Sequence, residues 1–304
     1  MLVDIPEHFA AFRHRSQDWA DWLDALPRLI RTVVEEWSVT VDGPPWTGQG
    51  ALALPVVTPR GERAVLKLGW PHPEAAYEHL ALRTWGGRGA VRLLQADPRR
   101  WVYLLERADA SHDLHALSVR EACEVVAGLY QQLHVPAIPQ LDRLSVQAER
   151  WTHELLELRN HPSVPRRYVE QAAALARDFA ADPASDGILI HTDLHYFNVL
   201  AAVRQPWLAI DPKPLSGEPA YEVAPLLWNR WDEAVATGDV RGALLDRLFT
   251  VVDAAGLEED RVRDWVTVRE MVNVMWTLRE GSDAPPNSSD WVTAAITIVK
   301  AVQR

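Results

Sequence analysis

The sequence predicts an α+β protein in which a small antiparallel sheet precedes a mainly helical C-terminal part. Three short apolar runs at 39–41, 52–58 and 63–68 alternate with turn sequences rich in Gly and Pro, as expected of strands with tight connections. Apolar residues then recur at helical spacing over 114–181 and again over 240–304. Strands gathered at one end of a chain and helices at the other are typical of the α+β class.

Composition places the chain among ordinary globular proteins and disfavours several classes of function. Its 304 residues are 48% hydrophobic, enough for a large core in one domain or two lobes. No apolar run approaches the roughly 18 residues needed to cross a membrane, and the N-terminus lacks the basic, then apolar layout of a signal peptide. A single cysteine, Cys123, excludes an intrachain disulfide, so we expect a cytoplasmic protein. The formal charge of −11 argues against nucleic acid as a partner and is compatible with a cationic small molecule.

The N-terminal part divides into a helical cap and a sheet. Apolar residues recur near helical spacing over residues 1–38, with Pro27 as a break or kink. The strands that follow are joined by turns at 42–45 and 59–61 and should form the antiparallel sheet. We therefore expect a capping helix on a sheet-containing segment, 39–106.

The stretch 188–214 combines apolar runs with an unusual density of polar groups. An apolar run at 188–190 predicts a strand, and runs at 199–202 and 207–210 predict a hairpin. Four polar side chains follow the strand or flank the hairpin, where packing alone gives no reason for them: Asp193, His195, Asn198 and Asp211.

The hairpin would bring two potential metal ligands together. Because its ends meet, Asn198 at the entrance and Asp211 past the exit should lie side by side. An amide carbonyl and a carboxylate suit a hard cation such as Mg²⁺, which usually takes further ligands from substrate phosphates. Asp193 lies on the same loop, close enough to accept a proton from the group that attacks the phosphate. The arrangement predicts phosphoryl transfer.

The pattern H-x-D-x-H-x-x-N followed by a D-P-K triplet resembles the aminoglycoside phosphotransferase family of kinase-like enzymes. Within that family, the whole chain looks most like the branch of streptomycin 6-phosphotransferases and hydroxyurea resistance kinases. The resemblance implies a bilobal protein-kinase-like fold, with ATP and Mg²⁺ as cofactors. It also implies that Asp193 is the catalytic base, that Asn198 and Asp211 bind the metal, and that His191 and His195 hold the loop.

The loop departs from the family pattern at two positions. The family usually has Gly after the first His and often before the Asn, where this chain has Thr192 and Phe197. Neither change removes a functional atom, although Phe197 could restrict the loop. These bulkier residues could reshape the rim beside Asp193 and help to choose the acceptor.

Lysine is rare in this chain, and two of its positions fall in motifs. Of 31 basic residues only three are lysines, at Lys67, Lys213 and Lys300. Because an ammonium is a compact point charge and a guanidinium is a wide planar fork, a position that keeps Lys against this bias could need the smaller group. Lys67 lies in an apolar strand, and by resemblance it holds the α- and β-phosphates.

The partner of Lys67 is expected on the next helix. A helix should begin near Pro73, since Pro is favoured in a first turn, and it carries Glu74 and Glu78 one turn apart. One of them should pair with Lys67. The spacing found in the family favours Glu78.

Resemblance also assigns the remaining nucleotide contacts. Gly48 and Gly50 lie between the first two strands, where a kinase places the loop that covers the phosphates. The two lobes should join after the strand at 101–105. The carbonyl of Glu106 and the amide of Ala108 would then meet the adenine edge.

Two further segments resemble this branch of the family. The sequence GGRGAVRLL at 86–94 closely resembles a segment typical of the branch. The segment beginning at Gly217 should pack beneath the catalytic loop, with Glu218 as an anchor for loop amides. Three acidic residues are candidates for contacts to a cationic acceptor: Glu222, Asp232 and Glu233.

The resulting hypothesis is an N-terminal nucleotide-binding lobe, 1–106, and a helical C-terminal lobe, 107–304, with the catalytic loop and acceptor site. The chain would transfer the γ-phosphoryl of ATP to a hydroxyl of an aminoglycoside-like, streptomycin-type molecule, with no protein partner implied. Alternatives are a kinase of the same fold for an amino sugar, hydroxyurea or another metabolite, and a nucleotide-binding pseudoenzyme. A protein kinase is disfavoured by His195 and the D-P-K triplet.

Overall fold

The computed structural model describes residues 3–280 and 288–304, and two helices form its N-terminal cap. Helix α1 spans Glu7–Ala10 and α2 spans Gln17–Glu36. The first turn of α2 is capped by Ser16, whose hydroxyl accepts a hydrogen bond from the Trp19 amide at 3.3 Å. The helix continues through Pro27 without a break. The cap therefore lies within the region predicted to be helical.

A six-stranded antiparallel sheet follows the cap. Its strands are ordered β1-β3-β4-β6-β5, and β2 pairs with β3 outside this order. The strands are β1 (Thr40–Val41), β2 (Trp46–Thr47), β3 (Ala51–Val57), β4 (Arg63–Gly69), β5 (Leu93–Asp97) and β6 (Val102–Glu106). The three runs predicted as strands correspond to β1, β3 and β4, each shifted by no more than a residue at either end.

The alternation of side chains along β4 divides the two faces of the sheet. Leu66 and Leu68 point into an apolar cluster beneath the N-terminal helices, together with Leu104 of β6. Because neighbouring side chains on a strand point to opposite faces, Lys67 lies on the other face. That face also carries Tyr103, which pairs with Lys67 across the sheet. Lys67 is thereby directed towards the C-terminal part.

A short helix, α3 (Glu78–Trp85), packs on this second face. Pro73 opens only a 3₁₀ turn, Pro73–Ala75, so the expected start of the helix is wrong by about a turn. The α-helix proper begins at Glu78 because the intervening residues do not continue the helical backbone. The C-cap of α3 is Gly86, in the left-handed conformation at φ 59°.

Helices dominate the C-terminal part, as expected. They are α4 (Val119–Leu133), α5 (Leu144–Leu156), α6 (Arg166–Ala181), α7 (Ala224–Trp228), α8 (Trp231–Ala236), α9 (Val240–Ala255), α10 (Glu259–Glu280) and α11 (Ser288–Val302). Among them, α4 begins with a capping box in which the side chain of Ser118 accepts from the Glu121 amide and the side chain of Glu121 accepts from the Ser118 amide. No described helix is long and apolar enough to cross a membrane.

Two small antiparallel sheets hold the predicted catalytic stretch, 188–214, against these helices. Their strands are β7 (Asp109–Asp113), β8 (Val135–Pro136), β9 (Ile188–Ile190), β10 (Val199–Ala201), β11 (Trp207–Ala209) and β12 (Leu215–Gly217). One sheet has the order β11-β10-β7 and the other β12-β9-β8. The catalytic loop therefore leaves β9 in one sheet and enters β10 in the other.

A single apolar cluster continues from the second face of the large sheet into the C-terminal helices. It includes Trp85 of α3 and Leu105 of β6 together with buried residues of α4 to α7 and α9 to α11. The Trp85 indole nitrogen also donates to the Leu133 carbonyl at 2.8 Å. The chain thus passes from the N-terminal part into the C-terminal part after Glu106, beside a core that continues through both.

Candidate active site

Lys67 lies between two carboxylates. Its ammonium is 2.6 Å from Glu78 Oε1 on α3 and 2.5 Å from Asp211 Oδ1, which follows β11. Lys67 and Glu78 are both buried. The structure therefore brings together the lysine of β4, the glutamate predicted as its partner and one of the two predicted metal ligands.

A second lysine reaches the same carboxylate. Lys213 Nζ lies 2.9 Å from Asp211 Oδ2, so each carboxylate oxygen of Asp211 faces an ammonium. Of the three lysines in the chain, the third, Lys300, is exposed on α11. The two lysines that fall in motifs thus converge on one residue.

The charges of Lys67 and Asp211 stabilise each other, whereas burial raises the pKa of Glu78 despite its contact with Lys67. Burial raises the pKa of Asp211, but the opposite charges of Lys67 and Lys213 outweigh it, and the pKa falls well below its usual range. Burial alone would lower the pKa of Lys67, yet Asp211 and Glu78 raise it above the normal lysine value. All evidence of geometry and charge indicates an ionised Asp211 at neutral pH.

The hairpin that the sequence predicts after the loop is present. In the hairpin, β10 pairs with β11 through Val199 and Ala209, and the Ile210 amide donates to the Asn198 carbonyl at 2.9 Å. Asn198 and Asp211 therefore flank the open end of the hairpin. Asp211 itself has φ 54°, a left-handed conformation that turns its side chain out of the strand direction.

Asp193 lies on the same loop with a partly exposed carboxylate. The side-chain nitrogen of Asn198, Nδ2, donates to the backbone carbonyl of Asp193 at 2.8 Å and to Asp193 Oδ2 at 3.3 Å. His195 Nε2 is 3.2 Å from the same amide nitrogen and 3.8 Å from Asp193 Oδ1. These contacts fix the orientation of Asn198, and they leave its carbonyl oxygen as the atom that can face a cation.

His191 ties the loop to the end of the hairpin. It is fully buried, its Nε2 donates to the Ile210 carbonyl at 2.9 Å, and its Nδ1 accepts from the Asp193 amide at 3.3 Å. Burial lowers the pKa of His191, so the ring is neutral and can make both bonds. His191 thus connects the backbone of Asp193 to the residue before Asp211.

Known proteins resemble this chain along nearly its whole length. The profile of the family described as aminoglycoside/hydroxyurea antibiotic resistance kinase matches residues 36–281. The chain belongs to this family. It is 38% identical to streptomycin 6-kinase of Streptomyces glaucescens, over 99% of this chain and 98% of that protein. Hydroxyurea phosphotransferase of Kitasatospora aureofaciens is also 38% identical, over 94% of this chain and 83% of that protein.

A solved structure has the same fold. An aminoglycoside phosphotransferase in ternary complex with ADP and hygromycin B superposes with a TM-score of 0.61 at 16% identity, covering 89% of this chain and 97% of that one. The predicted bilobal kinase-like α+β fold is therefore confirmed, as is the predicted family. As a member of this kinase family, the chain is a phosphotransferase.

One buried glutamate anchors the catalytic loop of this family member. Glu222 Oε1 accepts the amides of His191 at 2.7 Å and Thr192 at 2.6 Å, and its Oε2 lies 2.5 Å from His134 Nε2. Burial raises the pKa of Glu222, but the bonds from His134 and the loop outweigh it and lower the pKa below its usual range. Glu222 is 1% exposed. The expectation that it contacts the acceptor is therefore wrong, because its carboxylate is consumed inside the protein.

Glu218, expected to anchor the loop amides, has a different partner. Its two carboxylate oxygens receive Nε and Nη2 of Arg261 on α10, at 2.8 and 2.5 Å. Arg261 also reaches Asp182 at 2.8 Å. Glu218 therefore ties the segment before Glu222 to the C-terminal helices. The residue predicted to accept the loop amides was Glu218, whereas the structure gives that contact to Glu222, four residues later.

Thr192 occupies a position that favours glycine. Its φ is 64°, in the left-handed region where a β-branched residue is strained by about 1–2 kcal/mol. Two contacts hold it there: its amide donates to Glu222, and its Oγ1 donates to the Lys213 carbonyl at 2.6 Å. The departure from the family pattern is thus accommodated by a hydrogen bond that glycine could not make.

The remaining nucleotide-site predictions fall where the fold permits them, without a contact that tests them. Glu106 ends β6, and Ala108 precedes β7. Gly48 and Gly50 lie in the turn between β2 and β3, where a Cβ at either position would meet nothing within 4 Å. The space above the turn is therefore open.

A cavity of about 260 Å³ opens beside the catalytic loop. Its lining consists of His115, His195, Phe197, Trp228, Asn229 and Arg230. Phe197 is 62% exposed, and its ring centroid lies 4.3 Å from that of His115. The two acidic acceptor candidates follow the cavity on α8. Asp232 is exposed, and Glu233 is paired with Arg230 at 2.5 Å.

Sequence reasoning missed three contributors to the site. Lys213 was noted only as part of a motif, although its rarity as a lysine was an available signal. His134, which bonds Glu222, carries no local signal because it lies at the end of α4, far away in sequence. His115 lies in the short 3₁₀ turn after β7, and only the fold places it against Phe197.

Proposed function

We propose that this kinase transfers the γ-phosphoryl group of ATP to a hydroxyl of an aminoglycoside-like, streptomycin-type antibiotic. The observation that carries the proposal is the convergence of Lys67 and Lys213 on Asp211, beside a loop that presents Asp193 and Asn198. Cations, a carboxylate and a base within one small region suit a reaction that depends on charge neutralisation and positioning. The relatives named streptomycin 6-kinase and hydroxyurea phosphotransferase support the same reaction class.

The nucleotide would bind between the large sheet and the catalytic hairpin. Lys67, kept in place by Glu78, would donate from its ammonium to the α- and β-phosphates. The backbone at Glu106 and Ala108 would meet the adenine edge. The open turn at 48–50 leaves room for phosphates to approach its backbone amides.

The donor set fits Mg²⁺. Asp211 is ionised and already draws two cations, and Asn198 uses its amide nitrogen within the loop, so both residues can offer oxygen. Two protein oxygens supplemented by phosphates and water are typical of Mg²⁺ in kinases. Mg²⁺, when bound there, would neutralise the charge of the phosphates during transfer.

Asp193 would act on the acceptor. Its partly exposed carboxylate accepts the proton of the attacking hydroxyl as the bond from that oxygen to the γ-phosphorus forms. The bond between the γ-phosphorus and the β,γ-bridging oxygen breaks, and ADP leaves with that oxygen. Asn198 and His195 orient the Asp193 backbone and carboxylate, so the base is held in place before the acceptor arrives.

The acceptor would lie over the cavity next to His195. The exposed ring of Phe197, backed by His115 and by Trp228, offers a flat apolar face to a sugar or cyclitol ring, and to a cationic substituent. Asp113 lies 2.9 Å from His115 Nδ1 and brings negative charge to this rim.

An acceptor panel tests the proposal. Labelled ATP would be offered with streptomycin, other aminoglycosides, amino sugars and hydroxyurea, and the Asp193→Asn variant would serve as the matched inactive control. We expect label transfer to streptomycin-type acceptors by the wild type alone. Transfer to hydroxyurea or an unrelated metabolite instead would redirect the acceptor assignment, and failure to transfer label to any acceptor would favour a nucleotide-binding pseudoenzyme.

Phe197→Ala separates the acceptor site from the nucleotide site. The substitution should raise the KM of the acceptor by about tenfold, the scale of one lost aromatic contact, while the KM of ATP is unchanged. Val203→Ala is a suitable control, since Val203 is fully exposed in the hairpin turn. An unchanged acceptor KM in Phe197→Ala would remove the cavity from the acceptor site.

A further inference from the structure

The glycine-rich segment 86–91 docks against the catalytic hairpin. The Ala209 amide donates to the Gly89 carbonyl at 2.8 Å, and the Ala209 carbonyl accepts from the Val91 amide at 3.1 Å. The Gly89 amide donates to the side chain of Gln205 in the hairpin turn at 3.2 Å. A segment of the N-terminal part is thus joined by hydrogen bonds to the hairpin whose two ends carry the proposed metal ligands.

Arg204, in the turn of that hairpin, makes the most extensive of these connections. Its Nη1 donates to the Gly87 carbonyl, and its Nη2 donates to the Ala90 carbonyl at 3.0 Å. Its Nε and Nη2 donate to the two carboxylate oxygens of Glu106, at 2.9 and 2.8 Å. One guanidinium therefore bonds the glycine-rich segment and the end of β6 together.

Two glycines make this close approach possible. Gly87 has φ 89°, and a Cβ there would lie 2.7 Å from Arg92 Cγ and 3.4 Å from Arg204 Nη2. Gly89 has φ 65°, and a Cβ there would lie 3.0 Å from the Cβ of Gln132. Other residues would be strained and crowded at both positions. The glycines of this family-like segment thus have a physical purpose in forming a cradle for Arg204 and its hairpin.

The charges of the connection agree with its geometry. Burial raises the pKa of Glu106, but the bonds from Arg204 and from the Arg92 amide outweigh it, and the net effect lowers the pKa. The hydrogen bonds to Glu106 raise the pKa of Arg204. Both groups stay charged at neutral pH, in a site where the two side chains are only about a fifth exposed.

We propose that Arg204 is a positioning residue that couples the expected junction of the two lobes after β6, the hinge at Glu106–Ala108, to the hairpin that carries Asn198 and Asp211. A nucleotide held at the hinge by its adenine would thereby meet the metal ligands at a fixed distance from its phosphates. The inference rests on the proposed phosphoryl transfer. It adds that Mg²⁺-dependent nucleotide binding depends on a residue remote from the phosphates.

The arrangement requires the fork of arginine. A guanidinium can serve two carbonyls and a carboxylate in one plane, whereas the single ammonium of a lysine cannot reach all three. Arg204→Lys therefore keeps the positive charge opposite Glu106 and removes the bonds to the glycine-rich segment. Arg204→Ala removes both.

Calorimetry of nucleotide binding tests the proposal without needing an acceptor. The dissociation constants of AMP-PNP with Mg²⁺ and of ADP with EDTA would be measured for the wild type, Arg204→Lys, Arg204→Ala and Glu106→Gln. Arg100→Ala is the matched control, since Arg100 pairs with Asp97 and Glu36, each at 2.6 Å, away from the hairpin. Unfolding midpoints of all variants would be recorded alongside.

Arg204→Lys should weaken binding with Mg²⁺ by about tenfold or more, the scale that small misplacements of a site produce, and weaken binding in EDTA much less. Arg204→Ala and Glu106→Gln should show the same selectivity for Mg²⁺. Equal binding by wild type and Arg204→Lys, or the same loss with and without Mg²⁺, would overturn the positioning role. A wild-type chain that binds neither nucleotide would overturn the proposed function and this inference with it.

Discussion

Replacing Glu222 by Gln should weaken the hydrogen bonds that hold the catalytic loop without changing any residue of the loop itself. The carboxylate is buried and accepts the amides of His191 and Thr192 at 2.7 and 2.6 Å. Hydrogen bonds to a charged group contribute about 1.5–3 kcal/mol each, roughly twice a neutral bond. Because Gln keeps an acceptor oxygen and loses the charge, about half of each bond disappears. The expected loss of unfolding free energy from these two bonds is thus about 1.5–3 kcal/mol.

The pH dependence of this loss is also determined. The pKa of Glu222 is lowered in the folded chain, since the bonds from His134 and the loop amides outweigh burial. A lowered folded pKa gives stability that is present above the ordinary carboxyl pKa and is lost as the pH falls through the lowered value. The difference between wild type and Glu222→Gln should therefore be largest at neutral pH and shrink in acid.

Urea unfolding followed by tryptophan fluorescence measures the stability. The kcat at saturating substrates reports whether the loop still holds Asp193 in place. We expect kcat to fall about tenfold to a hundredfold, because the loop that holds Asp193 shifts. Glu218→Gln is the matched control, since within the described part of the chain the Glu218 carboxylate bonds Arg261 and not the catalytic loop. A larger loss of kcat in Glu218→Gln, or a stability gap that widens in acid, would refute the anchoring role of Glu222.

Substitutions at three further positions test the remaining parts of the site. Asp193→Asn should lower kcat by about 10²–10⁴ with little change in nucleotide affinity, since a general base acts on the acceptor alone; a normal kcat would remove Asp193 as the base. Asp211→Ala should weaken binding of Mg²⁺ with nucleotide and flatten the dependence of turnover on Mg²⁺; an unchanged Mg²⁺ titration would argue against Asp211 as a ligand. Thr192→Gly should change stability by less than about 1 kcal/mol, because relief of strain offsets the lost bond of Oγ1, whereas Thr192→Val keeps the strain and should destabilise by about 1 kcal/mol. Equal urea midpoints for Thr192→Val and wild type would show that the bond to the Lys213 carbonyl contributes nothing.

Local pattern was sufficient to predict where Lys67, Asn198 and Asp211 lie in the fold. Alternation along β4 places Lys67 on the face opposite Leu66 and Leu68, and a hairpin after Asn198 returns the chain to Asp211. Both arguments need only the period of a strand and the closure of a turn. The pairing of Lys67 with Glu78 was predicted from the spacing found in the family, since the helical pattern alone left Glu74 and Glu78 open.

The loop anchor could not be predicted in the same way. Glu218 and Glu222 lie close together in one segment, and each resembles an acidic position of the family. Glu218 precedes a 3₁₀ turn over Pro219–Val223 that contains Glu222, so that Glu222 is buried while the Glu218 carboxylate bonds Arg261. The direction of a side chain on such a turn depends on the helices packed around it, which local periodicity does not contain. Arg204 was missed for the same reason, as one arginine among many in an exposed turn.

The scarcity of lysine acquires a physical explanation at Asp211. Two ammonium groups lie 2.5 and 2.9 Å from its oxygens, a compact arrangement that two planar guanidinium groups would crowd. Lys67 also holds Glu78, so it can release Asp211 to a metal and still have a carboxylate partner. Lys213 keeps its contact with the other oxygen of Asp211, and its backbone carbonyl accepts a hydrogen bond from the Thr192 hydroxyl. In the proposed function, a metal would therefore replace one ammonium at Asp211 while Lys67 keeps a carboxylate partner, which is a condition for binding Mg²⁺ with nucleotide at a low energetic cost.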